Sequence, residues 1–141
     1  TVTARLLHDE APKTCQLLWG ELPYEDLFTH AQWSSLMIHS NKHPRIDIDV
    51  SRYPLVENPS AFLAPGDIIV WPINGEIAIA YGSAEFRWLT GPWVVTKVAT
   101  IEGDLAEFAK RCDSMMWEGA KRVVIRQKGD AQKTSKRERR K

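Results

Sequence analysis

The chain has 141 residues, 43% hydrophobic and 26% charged, with a formal net charge of +1. Those values fit one globular domain and exclude disorder along the whole length. No apolar run approaches the ~20 residues of a membrane helix, and the start TVTARLLHDE has no secretory signature. Cys15 and Cys112 are too few for a disulfide framework, so free thiols and a cytoplasmic setting are expected.

The elements follow from pattern. Residues 2–7 read as a first strand. Pro12 suits the first turn of a helix over about 12–22, with Cys15, Leu17, Leu18 and Leu22 on its apolar face and Pro23 as its stop. Residues 28–39 read as one extended segment. Residues 45–51 alternate strictly and read as a half-buried strand. Residues 53–66, with Pro54, Pro59, Pro65 and Gly66, read as an ordered loop. Asp67–Trp71 is a buried strand, and Asn74-Gly75 signals a hairpin to Glu76–Tyr81. Further strands are expected at 84–89, 94–101 and 123–126. Asp104 opens a helix over about 105–118, which Gly119 ends. From Gln127 onward the only apolar residue is Ala131, so a barrel domain over 1–126 and a basic, mobile tail over 127–141 are expected. About eight short strands and two helices favour a mainly β fold, a closed barrel with two capping helices.

The net charge hides an asymmetry. Residues 1–120 hold 9 Lys and Arg against 16 Asp and Glu, whereas residues 121–141 hold 10 against 2. An acidic body with a basic end allows electrostatic binding of nucleic acid or an acidic partner. No aromatic residue follows Trp117, so base stacking is absent and nucleic acid is the unfavoured partner.

No phosphate-cradling glycine loop, Gly-x-Ser-x-Gly, HExxH or CxxC is present, and no cofactor is expected. His39 and His43 are four apart, but Pro44 disfavours the helix that would join them on a metal, so no metal is expected either. Two constellations remain. One strand or strand pair carries His30, Trp33, Met37 and His39, which can be core and edge residues or a pocket floor with an aromatic wall and a titratable imidazole. Glu57-Asn58-Pro59 stands in a proline-stiffened loop. There Asn58 can serve turn chemistry, or Glu57 can be presented as a general base. Six tryptophans hint at an aromatic-lined pocket or an interface.

Ala11-Pro12-Lys13-Thr14 and the segment Thr29–His39 resemble cyclophilin, with its Ala-Pro-x-Thr helix start and its Phe-His-Arg…Phe-Met-Ile-Gln strand. His30 falls on the histidine, Met37 and Ile38 on Met-Ile, and His39 on the glutamine. Ala31 occupies the place of the arginine to which prolyl isomerisation is attributed, which argues against that activity. The wider pattern resembles a bacterial family of cyclophilin-like proteins of unknown function. It is carried by Ala-Pro-Lys-Thr-Cys at 11–15, His-Ala-Gln-Trp-Ser at 30–34, Glu57-Asn58-Pro59, Ala64-Pro65-Gly66-Asp67 and Tyr81-Gly82. That resemblance covers about 2–125 and implies a closed eight-stranded barrel with two capping helices.

By analogy with the cyclophilin face, one concave surface is expected. Glu57 and His30 would be its catalytic groups, and Trp33, Met37, His39, Asn58 and Tyr81 its ligand-binding groups. Its pKa raised by burial beside Trp33, Glu57 would serve as a base. The expected function is binding or transformation of a small polar metabolite: a cyclic amide, a lactone or an amino-acid derivative. A residual prolyl isomerase or proline-peptide binder, and tail-mediated nucleic-acid binding, are the alternatives. A homo-oligomer is possible, and no membrane partner is expected.

Overall fold

The computed structural model describes residues 1–41, 51 and 54–129. The strand expected over 45–51, apart from Ser51, and the tail beyond Gly129 lie outside the described residues. In chain order the elements are β1 (Thr3–Leu6), α1 (Pro12–Glu21), β2 (Tyr24–His30), a single three-ten turn (Gln32–Ser34), β3 (Ser35–Ser40), β4 (Pro59–Ser60), β5 (Phe62–Leu63), β6 (Asp67–Trp71), β7 (Glu76–Glu85), β8 (Arg87–Trp88), β9 (Gly91–Pro92), β10 (Val95–Glu102), α2 (Ala106–Glu118) and β11 (Lys121–Ile125). No helix among the described residues is long and apolar enough to cross a membrane.

The fold is mainly β, but the sheet is open. Its strand order is β1-β10-β6-β7-β3-β2-β11, with β4 added on β10 and β5 on β7. Every pairing in it is antiparallel. A closed eight-stranded barrel would need a ladder between β1 and β11, and among the described residues there is none. The count also differs: nine strands share this sheet, and β8 and β9 form a separate two-stranded ribbon. The physical reason lies in the side chains. Val2 and Leu6 at the β1 edge and Val123 and Ile125 of β11 pack on one core cluster together with Ala11, Cys15 and Leu18 at α1 and Cys112 and Met115 of α2. The two helices and both edge strands are thus held to one apolar core by side-chain packing rather than by a ladder between β1 and β11.

Strict alternation buries the sheet on both faces. Ile68, Val70, Ile77, Ile79, Tyr81 and Ile38 join the cluster that holds the helices. Ile69, Trp71, Ala78, Ala80 and Met37 point the other way, into a second cluster with Leu63, Phe86 and Val95. The free cysteines Cys15 and Cys112 are buried as small hydrophobes on the two helices, as their apolar spacing predicts. Burial pushes the Cys112 thiol up to about 12, which removes its thiolate at neutral pH.

The segment read as one strand over 28–39 is two. β2 ends at His30, the chain makes a turn, and β3 starts at Ser35 with φ +81°. Ala31 N–H donates to the Met37 carbonyl at 2.8 Å and Ser34 N–H to the Ala31 carbonyl at 2.8 Å, so the turn folds back on its own hydrogen bonds. β11 begins at Lys121, opposite Phe28, and β2 overhangs it by Thr29 and His30. The site is built at that overhang.

Candidate functional site

A cavity of about 240 Å³ opens beside the overhang. Thr29, His30, Gln32 and Trp33 supply one wall, and Met115, Met116, Gly119 and Ala120, at the end of α2 and just beyond it, supply the other. Because the end of β2 stands free of β11, residues from both sides of that strand reach the same space.

His30 is the end of a polar chain. Its Nε2 lies 2.6 Å from the Tyr81 hydroxyl, and that hydroxyl donates to Asp113 Oδ1 at 3.0 Å. The two rings meet edge to face at 5.5 Å between centroids. Since the phenol proton is committed to the carboxylate, His30 Nε2 must donate its own proton to the phenol oxygen. This fixes the Nε2–H tautomer and leaves a lone pair on Nδ1. Nδ1 is buried, with no hydrogen-bond partner among the described residues. Desolvation lowers the His30 pKa, the nearby Asp113 charge opposes that, and the net direction is down. The imidazole is therefore neutral at pH 7 and carries an unshared base. Burial, with the hydrogen bond to Asp113 and the charge of Asp113, holds the Tyr81 phenol far above its ordinary value, so Tyr81 stays protonated.

Trp33 forms the rim. It is 47% exposed and meets His39 edge to face at 5.4 Å and Trp88 at 6.1 Å. His39 lies behind it in β3, with Nδ1 2.9 Å from the Ser40 carbonyl and 3.1 Å from Glu76 Oε1, and Nε2 3.0 Å from the Thr29 hydroxyl. Burial alone would lower the His39 pKa. The hydrogen bond and charge of Glu76 outweigh it and raise the value. A raised histidine pKa contributes stability that is fully present below the ordinary 6.5 and lost as pH rises through the folded value. The stability difference between wild type and Glu76→Gln should therefore shrink as pH rises above that window. Urea unfolding of both chains from pH 5.5 to 8.5 measures it, and a difference that grows with pH would contradict the assignment.

The remaining expected site residues have other places. Met37 is 1% exposed and belongs to the core on the sheet face opposite Tyr81, so it does not line this cavity. Glu57 and Asn58 sit at β10 and α1, and β6, β7 and β3 separate β10 from β2 in the sheet. Glu57 accepts from Thr14 N–H at 2.7 Å, from the Thr14 hydroxyl at 2.7 Å and from Lys13 N–H at 3.3 Å. It caps the start of α1, where the orphan N–H groups and the helix dipole favour an anion. The expectation of a raised Glu57 pKa is overturned. Desolvation raises it, but the Thr14 and Lys13 donors and the Lys13 charge prevail and hold it below 4.5. A carboxylate so engaged is a structural cap and a poor base. Asn58 takes φ +45° and donates from Nδ2 to the Lys97 carbonyl at 3.1 Å, which pins the loop to β10.

Reading residues by their apolar spacing missed Asp113. It follows the buried Cys112 on a helix whose pattern shows only hydrophobes, and its role rests on Tyr81, 32 residues upstream. Glu76, the partner of His39, shows in the sequence only as the first residue after a hairpin.

Fold and site together define a class: a mainly β chain with two helices packed on an open sheet, and a tryptophan-rimmed cavity at the end of one strand. The chain belongs to the DUF3830 family of proteins of unknown function, whose pattern matches residues 1–126. No curated protein matches it in sequence. Among solved structures it is similar to one described as McbB in complex with tryptophan, with a TM-score of 0.68 and 26% identity. That match covers 92% of this chain and 42% of the McbB chain, so this chain spans less than half the length of McbB.

Proposed function

We propose that this protein binds a small aromatic amino-acid derivative in the cavity at the end of β2, with His30 as the group that accepts a proton or hydrogen bond from it. The observation that carries the reading is the chain Asp113–Tyr81–His30. Three groups spend two hydrogen bonds to leave one buried lone pair on a residue that lines a cavity. A buried acceptor left unpaired costs free energy, on the order of 1–3 kcal/mol, and a ligand N–H or O–H recovers it. Trp33 supplies the aromatic wall, and Met115 and Met116 an adaptable one. The likeness to a structure that holds tryptophan supports an aromatic amino-acid skeleton over a lactone or cyclic amide. The reading keeps the sheet as a cyclophilin-type half-barrel and gives His39 and Tyr81 supporting places behind Trp33 and His30.

Titration calorimetry and thermal-shift measurements with tryptophan, tryptamine and their phenyl analogues test it. At least one is expected to bind saturably, and a ligand at 100 times its Kd adds about 2.7 kcal/mol of stability. Trp33→Ala should weaken that binding about tenfold or more while costing about 1 kcal/mol or less of stability, because Trp33 is half exposed. Tyr81→Phe should weaken it as well, since it frees the His30 tautomer. No saturable binding of any of these compounds at millimolar concentration would sink the proposal.

A further inference from the structure

We infer that the cavity selects its ligand by charge, taking an amine as its cation and rejecting a carboxylate or phosphate at the same place. The inference rests on the binding reading above and adds the chemical class of the group held there. Among the residues that line the cavity there is no Lys, Arg or acid, so nothing in its walls is built to pair an anion. What the walls do carry favours positive charge. The last carbonyls of α2, a helix of 13 residues, place the negative end of its dipole where Gly119 turns away. The indole of Trp33 offers a π face, which attracts ammonium groups. His30 Nδ1 is buried and has no hydrogen-bond partner among the described residues, so an ammonium N–H that reached it would satisfy it and a carboxylate oxygen would not.

The Asp113 carboxylate stands behind Tyr81 and adds a negative charge two hydrogen bonds removed from the imidazole. The nearest lysine along the chain, Lys121, is engaged by Glu118 at 2.5 Å and is thereby partly neutralised. The helix end, the Trp33 ring and the polar chain from Asp113 to His30 thus point the same way at a pH where His39 is neutral.

Calorimetry at pH 8, where His30 is neutral, separates the possibilities with three indole compounds of one size class: tryptamine as the cation, tryptophan as the zwitterion and indole-3-propionate as the anion. Tryptamine is expected to bind at least tenfold more tightly than tryptophan, and indole-3-propionate to show no saturation. Asp113→Asn should narrow the ratio between tryptamine and tryptophan several-fold, a change that loss of packing alone would not produce. A ratio below about threefold, or tighter binding of the anion, overturns charge selection while leaving the cavity as a binding site. Failure of all three compounds to bind overturns the binding proposal and this inference together.

Discussion

Glu57→Ala is expected to lower stability by about 2–3 kcal/mol at pH 7, with the Glu57→Gln variant losing roughly half as much. The carboxylate holds two backbone N–H groups and a hydroxyl, and Thr14, which supplies two of those donors, is 1% exposed. Alanine leaves the two Thr14 donors unpaired at a buried residue, whereas glutamine keeps one acceptor oxygen but not the charge that suits a helix start. The pH dependence has a definite sign. A depressed carboxylate pKa contributes stability that is present above the ordinary 4.5 and is lost as pH falls through the folded value. Urea midpoints of wild type and Glu57→Gln should therefore converge below that window. Ligand affinity of Glu57→Gln should equal that of wild type, because the residue stands on β10's side of the sheet. A Glu57→Ala chain as stable as wild type at pH 7 would show that the cap contributes nothing.

Phe28→Ala is expected to cost about 3–5 kcal/mol. The ring is fully buried in the middle of β2, between β3 and β11, and meets Tyr24 edge to face at 6.4 Å. It belongs to the cluster that also holds Cys15 and Leu18 of α1 and Cys112 and Met115 of α2, so its loss opens a void where both helices seat. The neighbours are anchored by strand ladders and cannot collapse fully into it, which adds a cavity penalty to the lost transfer energy. Equilibrium urea unfolding checks the value, provided the slope m is unchanged. A loss under about 1.5 kcal/mol would mean that the helices move in to refill the space.

The two helices and the central hairpin are legible because their signals are local. Pro12 opens α1 and Gly119 ends α2 with φ +91°. At Asn74-Gly75, the Gly75 N–H reaches the Trp71 carbonyl at 2.9 Å with φ +75°. β2's start at Tyr24 is not legible, because its inward register reads Tyr24, Asp26, Phe28, and a buried Asp breaks the apolar alternation. Asp26 is tolerated there only because it accepts from the Tyr24 hydroxyl, Leu27 N–H and Asn41 N–H. β4 and β5 are two residues each and owe their extended form to partners in β10 and β7, far away in sequence. The candidate site divides the same way. His30, Trp33 and Tyr81 stand out as polar or aromatic residues among core positions. Asp113 does not, because a carboxylate on a helix is ordinary until the fold sets a tyrosine against it. Glu57 misleads for a related reason: a stiff loop presenting a carboxylate looks the same whether the receiver is a ligand or a helix end.

The overhang of β2 beyond Lys121 makes the cavity a product of connection length rather than of core composition. Its wall on that side is the short link from Glu118 to Lys121, and no residue of either core cluster other than Met115 borders it. Lengthening β11 by two residues at its start would lay backbone along Thr29 and His30 and seal the space, while shortening it would widen the opening, in both cases without repacking the sheet. Pocket size in this architecture is thus adjustable by insertion and deletion at one exposed link, independently of the substitutions that set stability.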